Sequence, residues 1–140
     1  MNTEGEERSK HVLLVEDDEL YARSVRRIFD RVGAEGALFI AEDGAEALAL
    51  LRGEGTRPPM PLPRLILLDL RLPKMDGIEL LEILRSEANR ALRELPVVIL
   101  TGSQLDSDRK ATAALGVSGY FIKGEEVDEL ARILADEASA

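Results

Sequence analysis

A few side chains in this sequence are chemically useful only together. Glu16 and Asp17 follow the short apolar run HVLLV. Asp69 follows RLILL, Thr101 follows LPVVIL and Lys123 follows GYFI. Brought to one point, three carboxylates repel one another and lose hydration, so they need a counter-charge. Lys123 supplies one positive charge. A hard divalent cation supplies the rest, and oxygen ligands without His or Cys suit Mg²⁺ with several retained waters. Such an ion draws in a phosphoryl group. Asp69 is then a candidate nucleophile that forms an acyl phosphate. Thr101 would donate to one phosphoryl oxygen and Lys123 would pair with another. Gly102 leaves the in-line approach open. The work asked of these residues is positioning and charge offset, which is what phosphoryl transfer requires. Each has a plainer role when taken alone. Asp17 and Asp18 suit a helix cap, Asp69 a turn, Thr101 a cap and Lys123 a solvated surface. The order acidic pair, Asp, Thr, Lys at successive strand ends is what argues for a joint site.

The elements that must position them follow from periodicity. Short apolar runs at 11–15, 37–41, 64–68, 95–100 and 119–122 read as strands. Between and after them lie helical patterns. Tyr21, Val25, Ile28, Phe29 and Val32 make one face of a helix that Asp18 caps and Gly33 ends. Asp43/Glu46 and Asp76/Glu79 have capping-box spacing at the start of two more. Residues 107–115 and 125–138 give the remaining two. Residues 87–94 read as a polar connection. Residues 53–63 hold four of the six prolines and read as an exposed, extended spacer; Pro58 and Pro61 also make a PxxP of the kind SH3 domains bind. Strand-then-helix five times over, with strands apolar on both faces, predicts an α/β, doubly wound, five-stranded parallel sheet with helices on both faces. Ligands in such sheets bind beyond the carboxyl ends of the strands.

Composition narrows the classes. The chain has 140 residues, so a polar tail at 1–10 and one domain at 11–140 are expected. It has no cysteine and one histidine, which excludes disulfide, thiolate and multi-His metal chemistry. A net charge of −9 opposes nonspecific binding to nucleic acid or to anionic membranes. No apolar run approaches the ~18 residues that a membrane span needs. A cytoplasmic location is expected.

The segments VLLVEDD, ILLDLRLPKMDG, VVILTGS and GYFIK resemble the receiver domain of bacterial two-component response regulators, over about residues 11–138. That resemblance implies a flavodoxin-like fold with strand order 2-1-3-4-5. It implies Asp69 as phospho-acceptor and Glu16 and Asp17 as the acidic pocket. Mg²⁺ would be held by Asp17, Asp69 and the backbone carbonyl of Arg71, with Glu16 acting through water. Thr101 and Lys123 would contact the phosphoryl group, and Tyr120 would be the switch aromatic that turns inward with Thr101. A sensor histidine kinase would be the phosphoryl source. One departure stands out: the family usually has proline after the lysine, whereas here Gly124 follows Lys123. The same departure, the long 53–63 loop and TGSQLDSD resemble the single-domain regulators that work with phytochrome-type histidine kinases.

With no effector domain in view, output is expected through protein contacts or onward phosphotransfer. The expected enzyme activity is none beyond slow loss of the phosphoryl group. Arg71 and Ser103, two residues past Asp69 and Thr101, are expected to tune that loss through water access. The family resemblance also implies a homodimer through the helix after the fourth strand, the fifth strand and the last helix. Two other classes compete. A Mg²⁺-dependent phosphatase of the haloacid dehalogenase type would need an acid two residues after its nucleophile, where this chain has Arg71. A pseudo-receiver, a binding module that is never phosphorylated, typically lacks a key residue, and here only Gly124 departs.

Overall fold

The computed structural model describes residues 8–135. Most of the expected tail, and the expected end of the last helix at 136–138, lie outside them. Among the described residues five strands and six helices follow one another, with two helices between the third and fourth strands: β1 (Val12–Val15), α1 (Glu19–Arg31), β2 (Leu38–Ala41), α2 (Gly44–Arg52), β3 (Leu65–Leu68), α3 (Gly77–Arg85), α4 (Arg90–Arg93), β4 (Val97–Thr101), α5 (Asp106–Ala114), β5 (Gly119–Ile122) and α6 (Val127–Ala135). The strands form one parallel sheet in the order β2-β1-β3-β4-β5, as expected for the flavodoxin-like fold.

Two apolar layers cover the sheet. On one face, Leu13, Val15, Ile66, Leu68 and Ile99 pack with Leu48 and Leu51 of α2 and Leu80, Leu81 and Leu84 of α3. On the other, Val12, Leu14, Leu67 and Leu100 pack with Val25, Ile28 and Phe29 of α1 and Leu130 and Leu134 of α6. The central strands β1, β3 and β4 are buried on both faces, which is why their sequences do not alternate. β5 is an edge strand and only half-buried throughout.

Local signals act as the sequence predicts in most places. The Asp18 carboxylate accepts from the Leu20 and Tyr21 amides and caps α1. Asp76 and Glu79 form a full capping box on α3. At α2 the box is incomplete: Asp43 accepts from Glu46 N, but Glu46 reaches Glu42 N, one residue before the cap. His11 does no chemistry at the site; its Nδ1 accepts from Ala37 N and ties the start of β1 to β2.

Two expectations need correction. The 87–94 connection contains the one-turn helix α4, capped by the Asn89 side chain on Ala91 N and Leu92 N. Residues 53–63 are irregular but not wholly exposed. Met60 is buried against the α2/α3 core, and its amide donates to Leu50 O at 2.7 Å. Pro61 is followed by Leu62, whose carbonyl accepts from the Ser9 amide at 2.7 Å and the Ser9 hydroxyl at 2.9 Å. The loop is thus pinned by its apolar residues and its carbonyls, which proline leaves free to accept.

Candidate functional site

Ladder hydrogen bonds run one residue beyond the strands and fix where the site residues start. Glu16 N donates to Ala41 O at 2.9 Å, Asp69 N to Val15 O at 3.1 Å and Lys123 N to Thr101 O at 2.8 Å. Val15 and Leu68 are paired across the sheet, so Glu16 and Asp69 sit side by side at its carboxyl rim. Strand alternation then sorts the side chains by face. Leu14, Leu67 and Phe121 belong to the α1/α6 layer, and Glu16, Asp69 and Lys123 each lie two residues further on. Ile99 and Tyr120 belong to the opposite layer, and Thr101 lies two residues after Ile99.

That parity gives two groups. In the first, Lys123 Nζ lies 2.8 Å from Glu16 Oε1 and 3.0 Å from Asp69 Oδ2. Glu16 is 2% exposed and Asp69 4%. Asp17 is exposed at the mouth, and one oxygen from each of the three carboxylates falls within 4.8 Å of the others. The remaining oxygens are held by backbone: Asp69 Oδ1 accepts from Arg71 N at 3.2 Å, and Glu16 Oε2 from Asp18 N at 3.0 Å. In the second group, Thr101 is fully buried and its Oγ1 accepts from Ser103 N at 3.3 Å. Tyr120 donates its hydroxyl to Ser103 O at 3.0 Å, with the Arg109 guanidinium 4.5 Å from its ring centre.

Electrostatics follow from this packing. Burial raises the Glu16 carboxyl above its usual range, against the pull of Lys123. Burial alone would lower Lys123, but its contacts with Glu16 and Asp69 outweigh it and hold the ammonium above its ordinary value. One cation therefore faces three carboxylates. The buried Glu16 Oε1 has the Lys123 ammonium, 2.8 Å away, as its partner among the described residues. Three carboxylates whose oxygens converge within 4.8 Å, offset by a single ammonium, are a donor set that fits a hard divalent cation. The ligand atoms are all oxygen, which suits Mg²⁺ or Mn²⁺ over softer ions.

Arg71 contributes its amide to Asp69, while its side chain is exposed and reaches Asp108 Oδ2 at 4.0 Å. Ser103 Oγ also donates to Asp108 Oδ2. Arg71 and Ser103 thus meet on a shared carboxylate that the sequence reading did not single out. Two more residues at the rim escaped it. The Tyr21 ring lies 4.4 Å from Lys123 Nζ, and the Tyr21 hydroxyl donates to the buried Glu126. In sequence, both are absorbed into helix patterns.

Gly124 has φ +96°, and the Glu125 amide closes a turn onto Ile122 O at 3.0 Å. This is the left-handed conformation that the third position of a type II turn requires and that glycine supplies freely. Proline, with φ fixed near −65°, does not fit this geometry. Its absence here is a different turn, not a missing part.

The sequence matches the response regulator receiver domain over residues 12–135. The probable methanogenesis regulatory protein FilR2 of Methanothrix harundinacea is 42% identical over 128 residues, covering 89% of this chain and 79% of that protein. Response regulator Rcp1 of Synechocystis sp. is 37% identical over 125 residues, covering 89% and 84%. The solved Mn²⁺-bound form of Rcp1 superposes with a TM-score of 0.78 at 35% identity, covering 91% of this chain and 90% of that one. The phosphorylated cyanobacterial phytochrome response regulator RcpA superposes with a TM-score of 0.78 at 34% identity, covering 90% and 89%. With the sheet order, the acidic rim and these matches in agreement, the chain belongs to the response regulator receiver domain family.

Proposed function

We propose that this receiver domain, taken as residues 11–140, accepts a phosphoryl group on Asp69 from a sensor histidine kinase. The kinase is proposed to be of the phytochrome type, given the likeness to Rcp1 and RcpA. The observation that carries the reading is the bridging of Glu16 and Asp69 by Lys123 at a buried rim, with Asp17 at the open side. Mg²⁺ is the proposed metal, held by Asp17, Asp69, the Arg71 carbonyl and, through water, Glu16. When bound it would offset carboxylate charge and that of the incoming phosphoryl oxygens. Rcp1 has a solved Mn²⁺-bound form, which supports a divalent site here.

The reaction is a displacement. An Asp69 oxygen attacks phosphorus, the phosphorus–nitrogen bond to the kinase histidine breaks, and the imidazole keeps the electron pair and gains a proton. Lys123 exchanges its contact with Asp69 for one with a phosphoryl oxygen. Thr101 has its hydroxyl proton to donate, because its oxygen now acts only as acceptor toward Ser103. Drawing Thr101 toward the phosphoryl group pulls on the Ser103 segment that Tyr120 grips, which makes Tyr120 the switch residue. The proposed output surface, and the homodimer face, is α5, β5 and α6. Turnover chemistry is not proposed: the position where a phosphatase of the dehalogenase type needs an acid holds the Arg71 guanidinium. A cytoplasmic location accompanies this reading, and no helix among the described residues is long and apolar enough to cross a membrane.

The test is intact mass after incubation with acetyl phosphate and Mg²⁺, beside Asp69→Asn. One added phosphoryl group, dependent on Mg²⁺ and absent from the variant, is expected. Failure with both acetyl phosphate and candidate kinases, while fold and Mg²⁺ binding persist, turns the reading to a pseudo-receiver.

A further inference from the structure

The strand ends explain how Glu16, Asp69 and Lys123 meet, but not what holds the lysine from behind. Its ammonium sits 4.4 Å from the centre of the Tyr21 ring, the geometry of a cation–π contact. That ring is not a free surface aromatic. Its hydroxyl donates to Glu126 Oε2, and burial together with this bond raises its pKa far above the ordinary range, so the proton stays on. Glu126 is 4% exposed, immediately before α6, and its other oxygen accepts from Gly124 N at 2.9 Å. A buried carboxylate is costly unless its lone pairs are occupied. Here one donor comes from α1 and the other from the turn that carries Lys123. Only a residue with an amide hydrogen serves at 124, and only glycine takes φ +96° there without strain.

We propose that Tyr21 and Glu126 are positioning residues for Lys123: Glu126 ties the Gly124 turn to the Tyr21 hydroxyl, and the tyrosine ring holds the ammonium facing Asp69. This rests on the reading of Asp69 and Lys123 as the phosphoryl site. It assigns to three side-chain and backbone groups, drawn from α1, the β5–α6 turn and the residue before α6, the task that a rigid proline turn would otherwise perform. Without a fixed ring face, the lysine's flexible four-carbon stem samples solvent at its partly open side. The charge would then spend less time where the phosphoryl oxygen arrives.

Phosphorylation by acetyl phosphate with Mg²⁺ is followed for the wild type, Tyr21→Leu, Tyr21→Phe, Glu126→Ala and Glu126→Gln. Each is compared with the same change on a Lys123→Ala background. Tyr21→Leu and Glu126→Ala are expected to slow phosphorylation about fivefold to tenfold, the worth of one partly desolvated cation–π contact or one buried hydrogen bond. Tyr21→Phe keeps the ring but loses the tie, so it falls between. Glu126→Gln keeps the Gly124 contact through its amide oxygen and reverses the Tyr21 contact, its NH2 donating to the phenol oxygen, and so restores most of the rate. On the Lys123→Ala background the same changes are expected to do nothing further, whereas a general effect on the fold would be additive. Equal slowing on both backgrounds, or no slowing on either, overturns the proposal.

A second measurement does not depend on phosphorylation. In the ¹H–¹³C spectrum of the four lysines, the ε-methylene of Lys123 is expected to carry an upfield ring-current shift. That shift should vanish in Tyr21→Leu and shrink in Glu126→Ala. Its absence from the wild type, or its persistence unchanged in Glu126→Ala, refutes the tie even if Asp69 is phosphorylated. Its presence in a chain that takes no phosphoryl group on Asp69 keeps the tie and sinks the phospho-acceptor reading instead.

Discussion

Lys123 is the only cation paired with Glu16 and Asp69 among the described residues, so its removal leaves two buried carboxylates facing each other. Lys123→Met is expected to cost about 1–3 kcal/mol in metal-free buffer, less than a fully buried pair would because the lysine keeps some solvent. Urea denaturation with and without Mg²⁺ checks this, and added Mg²⁺ should recover much of the loss. The pH dependence has a fixed sign. Lys123 is raised above its ordinary 10.5, so its contribution is complete below that value and fades as pH climbs through the raised one. The gap between wild type and Lys123→Met should therefore narrow in strongly alkaline buffer. Glu16 is raised above 4.5, so its ionised form opposes folding and its contribution declines as pH rises through the raised value. Glu16→Gln is thus expected to stabilise the metal-free protein at neutral pH while weakening Mg²⁺ binding, read by titration calorimetry. Arg71 and Ser103 converge on Asp108, so replacing both should change the dephosphorylation rate severalfold; an unchanged rate removes them from the control of water. Glu16, Asp17, Asp69, Thr101 and Lys123 were legible in sequence because each ends an apolar run. Tyr21 and Glu126 were not, because a tyrosine at helical spacing reads as core and a glutamate before α6 reads as part of the helix.

At the scale of elements, α3 and the β5–α6 turn are the parts whose backbone the site depends on. Gly77, the first residue of α3, donates to Leu70 O at 2.9 Å, and a Cβ there would come within 2.3 Å of Asp69 O and 2.7 Å of Leu70 Cα. Gly77→Ala must push α3 away from the end of β3. A loss of about 1–3 kcal/mol is expected, as for other overpacked sites, with Asp69 displaced and phosphorylation slowed. A variant with unchanged melting temperature and phosphorylation rate would contradict that contact. Gly124→Pro, which restores the residue usual in the family, should weaken the protein instead of improving it, because the native φ and the amide donor are both lost. The strands, their parallel direction and the α1 and α3 caps followed from periodicity and short-range motifs, and the strand order from the family resemblance. The one-turn α4 did not, because four residues give too little periodicity to read. The burial of Met60 did not either, because a proline-rich loop says nothing of which residue turns inward.

For the whole molecule, the two apolar layers are separate, and the layer formed with α1 and α6 lies directly under the lysine side of the site. Leu134 is fully buried there, and Leu134→Ala is expected to cost about 2–5 kcal/mol and to loosen α6 with the turn that precedes it. Guanidinium or urea midpoints measure the first effect, and the Lys123 ring-current shift the second. The carboxyl rim of a parallel sheet has a further consequence, in time. Its residues come from separate strand–helix units, and Asp69 and Lys123 stand 54 positions apart. At about 5–20 residues per second, a ribosome takes roughly 3–11 s to extend the chain from the acceptor to its counter-charge. Throughout that interval Asp69 has been made but Lys123, which offsets it in the folded domain, has not. The rim therefore acquires its counter-charge late, only once the edge strand β5 has been made and has docked beside β4.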